Sequence, residues 1–405
     1  MDFDETPEER SFRAEAIEFL EAHEAEVPGH DLAAFATDEP EAARAHVDRG
    51  RRWQRIKHDH GWAGLTWPIE HGGRGLSSIL AGIFAQEEKA RVDAAGVFAV
   101  GIGMVGPTLI AHGTTEQQRR FLPALLRGDE VWCQLFSEPN AGSDLAGLRT
   151  TAVRDGDEWV VNGQKVWTSG AQHSEWGVLL TRTDLDAPKH RGITYFLVDM
   201  RTSGIEVRPL RQATGASHFN EVFFDDVRVP HENILGQPNA GWGPILTTLA
   251  NERSLIGGGS ARTGTTELMS LAERADLLAD RCVRQDLARA HTRAELLRYL
   301  GYRVRTAASR GVMPGPESSV MKLAMSHHLA ATADLVMALN GVAGTLAGAD
   351  AIDHGRWQVE FVAQWASRIG GGTDEIQRNT IGEKVLGLPS EPRLDKGVAF
   401  RDIPT

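Results

Sequence analysis

The chain has 405 residues, enough for two or three domains each with its own core. Forty-three basic against 55 acidic side chains leave a net charge of −12, which argues against a phosphate-backbone partner, and 24% charged with 41% hydrophobic residues excludes bulk disorder. Two cysteines, Cys133 and Cys282, cannot form a disulfide framework and lack companions at metal-ligand spacing. The opening Met1-Asp2-Phe3-Asp4-Glu5 is acidic where a secretory leader would be basic and then apolar, so a cytoplasmic location is expected.

In chain order, Thr6-Pro7-Glu8-Glu9 supplies an N-cap, a first-turn proline and a capping-box glutamate. Phe12, Ala16, Phe19 and Leu20 then fall on one helical face. The uncharged run from Ala94 to Ala111 is about long enough to span a membrane, but four glycines and Pro107 within it point to buried helix. Glu116 to Leu126 predicts a further helix ending at Gly128-Asp129. From Thr151 the period changes to two. Asp155-Gly156 and Asn162-Gly163 read as hairpin turns flanking Glu158 to Val161, with strands at Gln164 to Thr168, Trp176 to Thr181, Ile193 to Val198 and Glu221 to Val229. From about Pro238 helices return, over Ile245 to Ile256, Thr265 to Leu278, Gln285 to Ala308, Ser318 to Leu339 and Trp357 to Ser367. The expected fold is therefore α+β and multidomain: an N-terminal helical domain over 1–127, a middle antiparallel β domain over 128–236, and a C-terminal four-helix bundle over 237–405.

Two motifs are decoys. Gly101-Ile102-Gly103-Met104-Val105-Gly106 matches a dinucleotide-binding pattern but lacks a preceding strand and a βαβ unit, and Ser319 with Lys322 stands without the companions of a β-lactamase site. The pairs His58, His60 and His327, His328 have no carboxylate or cysteine partners at zinc spacing.

Two other segments carry chemistry. Phe136-Ser137-Glu138-Pro139-Asn140-Ala141-Gly142-Ser143-Asp144 is followed by Val166-Trp167-Thr168-Ser169-Gly170, and Ile369-Gly370-Gly371-Gly372-Thr373-Asp374-Glu375-Ile376-Gln377-Arg378-Asn379 lies near the end. A flavin needs donors along its pyrimidine edge and a flat apolar wall, which such a loop and tryptophan can supply. On an α-β-α chain of this length the two segments resemble the acyl-CoA dehydrogenase family over nearly the whole chain. The resemblance implies FAD and lipid metabolism, such as fatty-acid or sterol side-chain oxidation. It places Phe136 and Ser137 at the pyrimidine edge, Gly142 among the groups that offer the flavin hydrogen bonds, Ser143 by the flavin diphosphate or acyl-CoA, Trp167 and Thr168 beside the ring, and Thr373 and Glu375 near the flavin at the start of the last helix.

Family members remove a proton beside the thioester carbonyl while hydride leaves the next carbon, which requires a carboxylate in an apolar pocket. The position many members use for it, two before the threonine of the terminal motif, is Gly371 here. A second family arrangement, seen in isovaleryl-type and long-chain-type members, puts the base on the first long C-terminal helix. Leu249-Ala250-Asn251-Glu252-Arg253-Ser254-Leu255-Ile256 resembles it, so Glu252 is the expected base, with Leu255 and Ile256 on its face. The alternatives are a solvated Glu252 paired with Arg253, leaving the role to Asp374 or Glu375. By resemblance, the Gly371 amide binds the thioester oxygen.

Two family segments are missing. Arg-x-x-Phe-Gly is replaced by Arg274-Ala275-Asp276-Leu277 and Arg284-Gln285-Asp286, and Gln-x-x-Gly-Gly by Met337-Ala338-Leu339-Asn340-Gly341. The expected activity is conversion of an acyl-CoA to its trans-2-enoyl thioester, with an electron-transfer flavoprotein as acceptor. Two rivals remain: a non-catalytic or half-site partner subunit, and a flavin monooxygenase or oxidase on the same fold. A homo-oligomer, or a hetero-oligomer with a homologous chain, is expected, the apolar Ile381 to Pro389 stretch needing cover. Gly101, Gly103 and Gly106 are expected to leave room for a bulky or branched acyl group.

Overall fold

The computed structural model describes residues 5–27, 40–257, 264–309, 315–392 and 395–403. The chain folds as two compact units. The larger holds Pro7–Glu252 and the tail Pro392–Thr405, and the smaller holds Arg253–Glu391 with Met1–Thr6.

The larger unit opens with helices α1 (Pro7–His23), α2 (Pro40–Asp59), α3 (Ser78–Arg91), α4 (Gly106–His112) and α5 (Thr115–Arg127). Phe12, Ala16, Phe19 and Leu20 are the buried residues of α1, as their spacing predicts. Phe19 and Trp62 stack at 5.0 Å in the core that α1 closes. Thr114 and Gln117 form a reciprocal capping box on α5, and Gly128 ends it in left-handed geometry at φ 74. The apolar run after α3 is broken into short turns, including a π-turn over Gly101–Val105 that enters α4. None of the helices among the described residues is long and apolar enough to cross a membrane.

The glycine-rich run is neither a dinucleotide loop nor open volume. A Cβ on Gly106 would stand 1.9 Å from the Trp67 ring, and one on Gly101 would stand 2.7 Å from a Leu125 methyl. Two of the glycines expected to widen an acyl pocket are thus occupied by packing; Trp67 even reaches past them to donate Nε1–H to the Ile102 carbonyl at 3.2 Å.

A seven-stranded sheet follows, comprising β1 (Trp132–Leu135), β2 (Thr151–Asp155), β3 (Glu158–Ser169), β4 (Trp176–Arg182), β5 (Ile193–Asp199), β6 (Ile205–Leu210) and β7 (Phe219–Pro230). The order is β1-β4-β2-β3-β7-β6, with β5 pairing β4. The sheet is mixed rather than purely antiparallel, because β1 and β2 both meet β4 in parallel. The Asp155-Gly156 turn is as predicted. Asn162-Gly163 is not a turn but lies inside the continuous strand β3, opposite a bulge on β7 where Asp225 and Asp226 stand against Asn162 alone. Gly163 sits at φ 150 with Thr150 atoms 2.6–2.8 Å from where a Cβ would be, and Asn162 exchanges two 2.9 Å hydrogen bonds with Asp226 on β7. Strands β1 and β6, which no periodicity announces, complete the two ends of the order.

Helix α6 (Trp242–Gly257) begins in this unit. Its first turns are buried by Ile245 and fixed by Thr248, whose hydroxyl lies 3.1 Å from Tyr195 Oη and 3.0 Å from Thr108 Oγ1. The smaller unit comprises α7 (Thr265–Arg274), α8 (Arg281–Ser309), α9 (Ser318–Asn340), α10 (Arg356–Ile369) and α11 (Asp374–Thr380). Its core gathers Leu268, Leu271, Leu287, Val336, Leu339 and Trp357.

Candidate functional site

The segment Phe136–Ser143 leaves β1 and lies along β3. The Val166 amide donates to the Ser137 carbonyl at 2.9 Å, while Phe136 is buried edge-on to Tyr195 at 5.8 Å. A backbone pair between Glu138 and Ala141 closes the loop, which leaves Gly142 and Ser143 exposed at its tip. What holds the loop is a buried ion pair. Lys165 Nζ donates to Glu138 Oε1 at 2.8 Å and to the Phe136 carbonyl at 3.1 Å. The Glu138 carboxylate also accepts the amides of Arg149 at 2.7 Å and Thr150 at 2.9 Å. Desolvation works to raise the Glu138 carboxyl, but Lys165 and these donors outweigh it and hold the group below its ordinary range. Burial pulls the Lys165 ammonium down to about 8 against the pull of Glu138. Motif letters alone give neither residue a role. The signal lies in the period-two parity of β3, which puts Lys165 on the inward face with Val161.

Trp167 stands just beyond, at a bulge in β3 itself, where Val166 and Trp167 stand against Glu221 alone, with φ 61 and 61% of its surface exposed. A left-handed, exposed tryptophan carries backbone strain and leaves an apolar face open, a pattern found at functional sites. Thr168 does not share that face. It is fully buried, its carbonyl accepts from Asn220 Nδ2 at 2.9 Å, and its hydroxyl has no partner among the described residues. The exposed hydroxyl next along the strand belongs to Ser169, which motif reading misses although alternation pairs it with Trp167.

Glu252 lies on α6, half-buried, 3.4 Å from Gln134 Nε2 on β1. Trp242, Leu249 and Glu252 fall within ~80° of one another around the helix. The Thr248 hydrogen bonds one turn earlier set the rotation of α6. The side chains of Arg253, Leu255 and Ile256, which the expectation placed beside Glu252, lie outside the described residues.

Gly371, Thr373 and Glu375 belong to the smaller unit. Gly371 has φ 66 and Gly372 φ 87, a backbone that a glutamate in place of Gly371 would strain. Gln377 Nε2 spans both glycine carbonyls at 3.1 and 3.2 Å. Thr373 caps α11 by accepting from the Ile376 amide at 3.2 Å. Glu375 is exposed and paired with Arg378 at 3.2 Å, and Asp374 is buried among Ser326 Oγ at 2.7 Å and Arg368 Nε at 3.0 Å. Both carboxylates offered as alternative bases already have partners inside the unit. The arginines standing where the missing segment would be are likewise engaged: Arg274 grips Asp353 with two bonds of 2.7 and 2.8 Å, and Arg284 donates to the carbonyls of Leu278 and Ala279.

The models of the acyl-CoA dehydrogenase N-terminal, middle and C-terminal domains match residues 6–129, 133–227 and 239–386. The chain belongs to the acyl-CoA dehydrogenase family. Acyl-CoA dehydrogenase IpdE1 of Mycobacterium tuberculosis is 42% identical to it over 357 residues, covering 85% of this chain and 91% of that protein. Among solved structures, the Tcur3481-Tcur3483 steroid ACAD superposes with a TM-score of 0.81 at 29% identity, over 96% of this chain and all of that one. The ChsE4-ChsE5 complex from Mycobacterium tuberculosis gives 0.78 at 32% identity, over 96% of this chain and all of that one.

The chain is accordingly an acyl-CoA dehydrogenase-type oxidoreductase, and FAD is the family's cofactor. The residues of the larger unit fit such a group. An uncovered indole face, a loop tip of exposed glycine and serine, and the Thr168 hydroxyl, which has no partner among the described residues, stand along one stretch of β3 and the loop it carries. Among the described residues no group of histidine, cysteine and carboxylate side chains could hold a metal ion.

Proposed function

We propose that the chain catalyses α,β-dehydrogenation of an acyl-CoA to its trans-2-enoyl thioester, with Glu252 as the base that takes the α-proton. The Phe136–Ser143 loop and Trp167 would hold FAD, which would supply the hydride acceptor. The observation that carries the reading is the placement of Glu252: half-buried, beside Gln134, on a helix whose rotation the Thr248 hydrogen bonds fix, while Gly371 has a backbone unsuited to glutamate. A carboxylate partly withdrawn from water and set on the face of Leu249 and Trp242 meets the requirement for α-proton removal.

The acyl group in this reading is bulky and sterol-derived, which the steroid ACAD relative supports, and electrons pass to an electron-transfer flavoprotein. Assembly with a homologous chain is supported by the engagement of Arg274 and Arg284 within the smaller unit, and by the ChsE4-ChsE5 relative being a complex.

Anaerobic titration of the flavin with acyl-CoAs tests the reading. Glu252→Gln keeps shape and FAD content but loses the proton acceptor, so bleaching should slow by ~10²- to 10⁴-fold. Bleaching of the variant at the wild-type rate would overturn the assignment.

A further inference from the structure

In the larger unit, Lys165 on β3 pairs with Val222 on β7 and Thr168 pairs with Asn220, so β3 carries one residue more than β7 over this stretch, and Trp167 lies in the surplus. Its φ of 61 is one that a bulky side chain rarely adopts, and such a conformation persists only where its surroundings impose it. The imposing groups come from β7 and from the turn after β3. Phe219 meets the Trp167 ring edge-on, with centres 6.0 Å apart and planes at 86°. Asn220, with none of its surface exposed, donates through Nδ2 to the Thr168 carbonyl at 2.9 Å and to Gln172 Oε1. Gln172 stands in the short turn Ala171–His173, and its Nε2 donates to the Ser217 carbonyl at 3.2 Å. The Gly170 amide donates to the His218 carbonyl at 3.0 Å, which fastens the same turn to the start of β7.

The two hydrogens of one buried amide thus join the residue after Trp167 to the turn four positions beyond it. A leucine there would keep a branched side chain but offer neither hydrogen, and an aspartate would set acceptors against two oxygens. For Trp167 to relax toward ordinary strand geometry, the chain after it must turn, and the Asn220 bonds resist that because water cannot replace them in a dry site. We propose that Asn220 is a positioning residue for the flavin, holding the bulge so that the Trp167 indole already faces outward when FAD arrives. A wall set in advance avoids the entropy loss of ordering the indole on binding. The inference rests on the placing of FAD against Trp167 in the proposed function and adds to it the residue that presets the wall; it does not depend on Glu252.

The test uses the full chain labelled with 5-fluorotryptophan, stripped of FAD and then reloaded. The fluorine signal of Trp167 is assigned by its loss in Trp167→Phe. Without FAD it should be a single sharp line in the unaltered protein, and it should shift and broaden in Asn220→Leu. Quenching of flavin fluorescence gives the FAD dissociation constant, which should rise about tenfold in Asn220→Leu, the worth of one hydrogen bond, and several-fold in Gln172→Ala. Gln172 is exposed, so its variant carries the same two readouts should Asn220→Leu fail to fold. Glycine tolerates φ 61 without support, so in a Trp167→Gly background Asn220→Leu should weaken FAD little further. An unmoved Trp167 signal in Asn220→Leu, or in Gln172→Ala where that variant alone folds, would overturn the proposal. So would an equal loss of FAD affinity with and without Trp167, since Asn220 would then act elsewhere. A Trp167 signal that follows Asn220 but does not respond to added FAD would place the error in the flavin assignment, and the proposal would fall with it.

Discussion

Replacing Lys165 by methionine should be the most damaging single change to the cofactor loop. The substitution keeps the volume of the side chain but leaves the Glu138 carboxylate, 8% exposed, without its cation. At 2.8 Å the pair attracts by about 6 kcal/mol at an effective dielectric of 20, a gross figure that the cost of burying both charges largely offsets. Removing one partner leaves that burial cost without compensation, for which about 3–5 kcal/mol is typical. The amides of Arg149 and Thr150 still serve the carboxylate, which places the expected loss at the lower end, about 3 kcal/mol. The Phe136 carbonyl also loses its 3.1 Å donor, so FAD should dissociate more readily from the variant. Urea unfolding followed by tryptophan fluorescence gives the stability, and flavin fluorescence on dilution gives the dissociation. The companion double variant Lys165→Met with Glu138→Gln, which removes both charges, should recover at least half of the loss. The pH dependence has a defined sign. Glu138 is held below its unfolded value near 4.5, so its contribution is complete above that pH and is lost as pH falls through the lower folded value. A single variant that loses less than about 1 kcal/mol, or a double variant no better than the single, would refute the reasoning.

Gly106→Ala would drive a methyl into the Trp67 ring 1.9 Å away, and should cost about 3 kcal/mol in urea unfolding; a neutral result would show that this helix can shift freely. Arg274 chiefly, with Trp357, draws Asp353 down to about 2, so its contribution to the smaller unit is complete above the unfolded value of 3.8 and lost as pH falls through about 2. Asp353→Asn should cost about 1 kcal/mol at pH 7 after allowance for solvent screening, and little at pH 2, as read from melting curves. Trp365, Ile369, Leu386 and Leu388 are more than half exposed on the smaller unit, so light scattering should report an oligomer that Leu386→Glu with Leu388→Glu weakens; a fully active, FAD-replete monomer would contradict this.

Much of the architecture is legible without coordinates, because helices and turns are encoded by short-range spacing. The buried face of α1, the end of α5 at Gly128 and the Asp155-Gly156 turn each depend on residues within a turn or two of one another. The same locality explains where such reading fails. Asn162-Gly163 has the letters of a hairpin turn, but its partners are Thr150 and Asp226, and the latter lies 64 positions away on β7. Adjacency groups Thr168 with Trp167, whereas the pleat sends neighbours to opposite faces and leaves Ser169 beside the tryptophan. The glycines of the Gly101 to Gly106 run suggest space, and Trp67 and Leu125 fill it from segments that no local pattern connects to them.

The family, the order of helical and strand regions and the carboxylate offered as base can be read from the chain alone, since they depend on motif letters and periodicity. Folding in three dimensions was needed to pair Lys165 with Glu138 under the loop, to fix through Thr248 the rotation of the helix bearing Glu252, and to return the C-terminal segment so that Asp395 meets Lys189. These are pairings between residues 27, 53 and 206 positions apart, and burial makes them strong by removing water; sequence spacing carries no record of which distant groups will share a dry site.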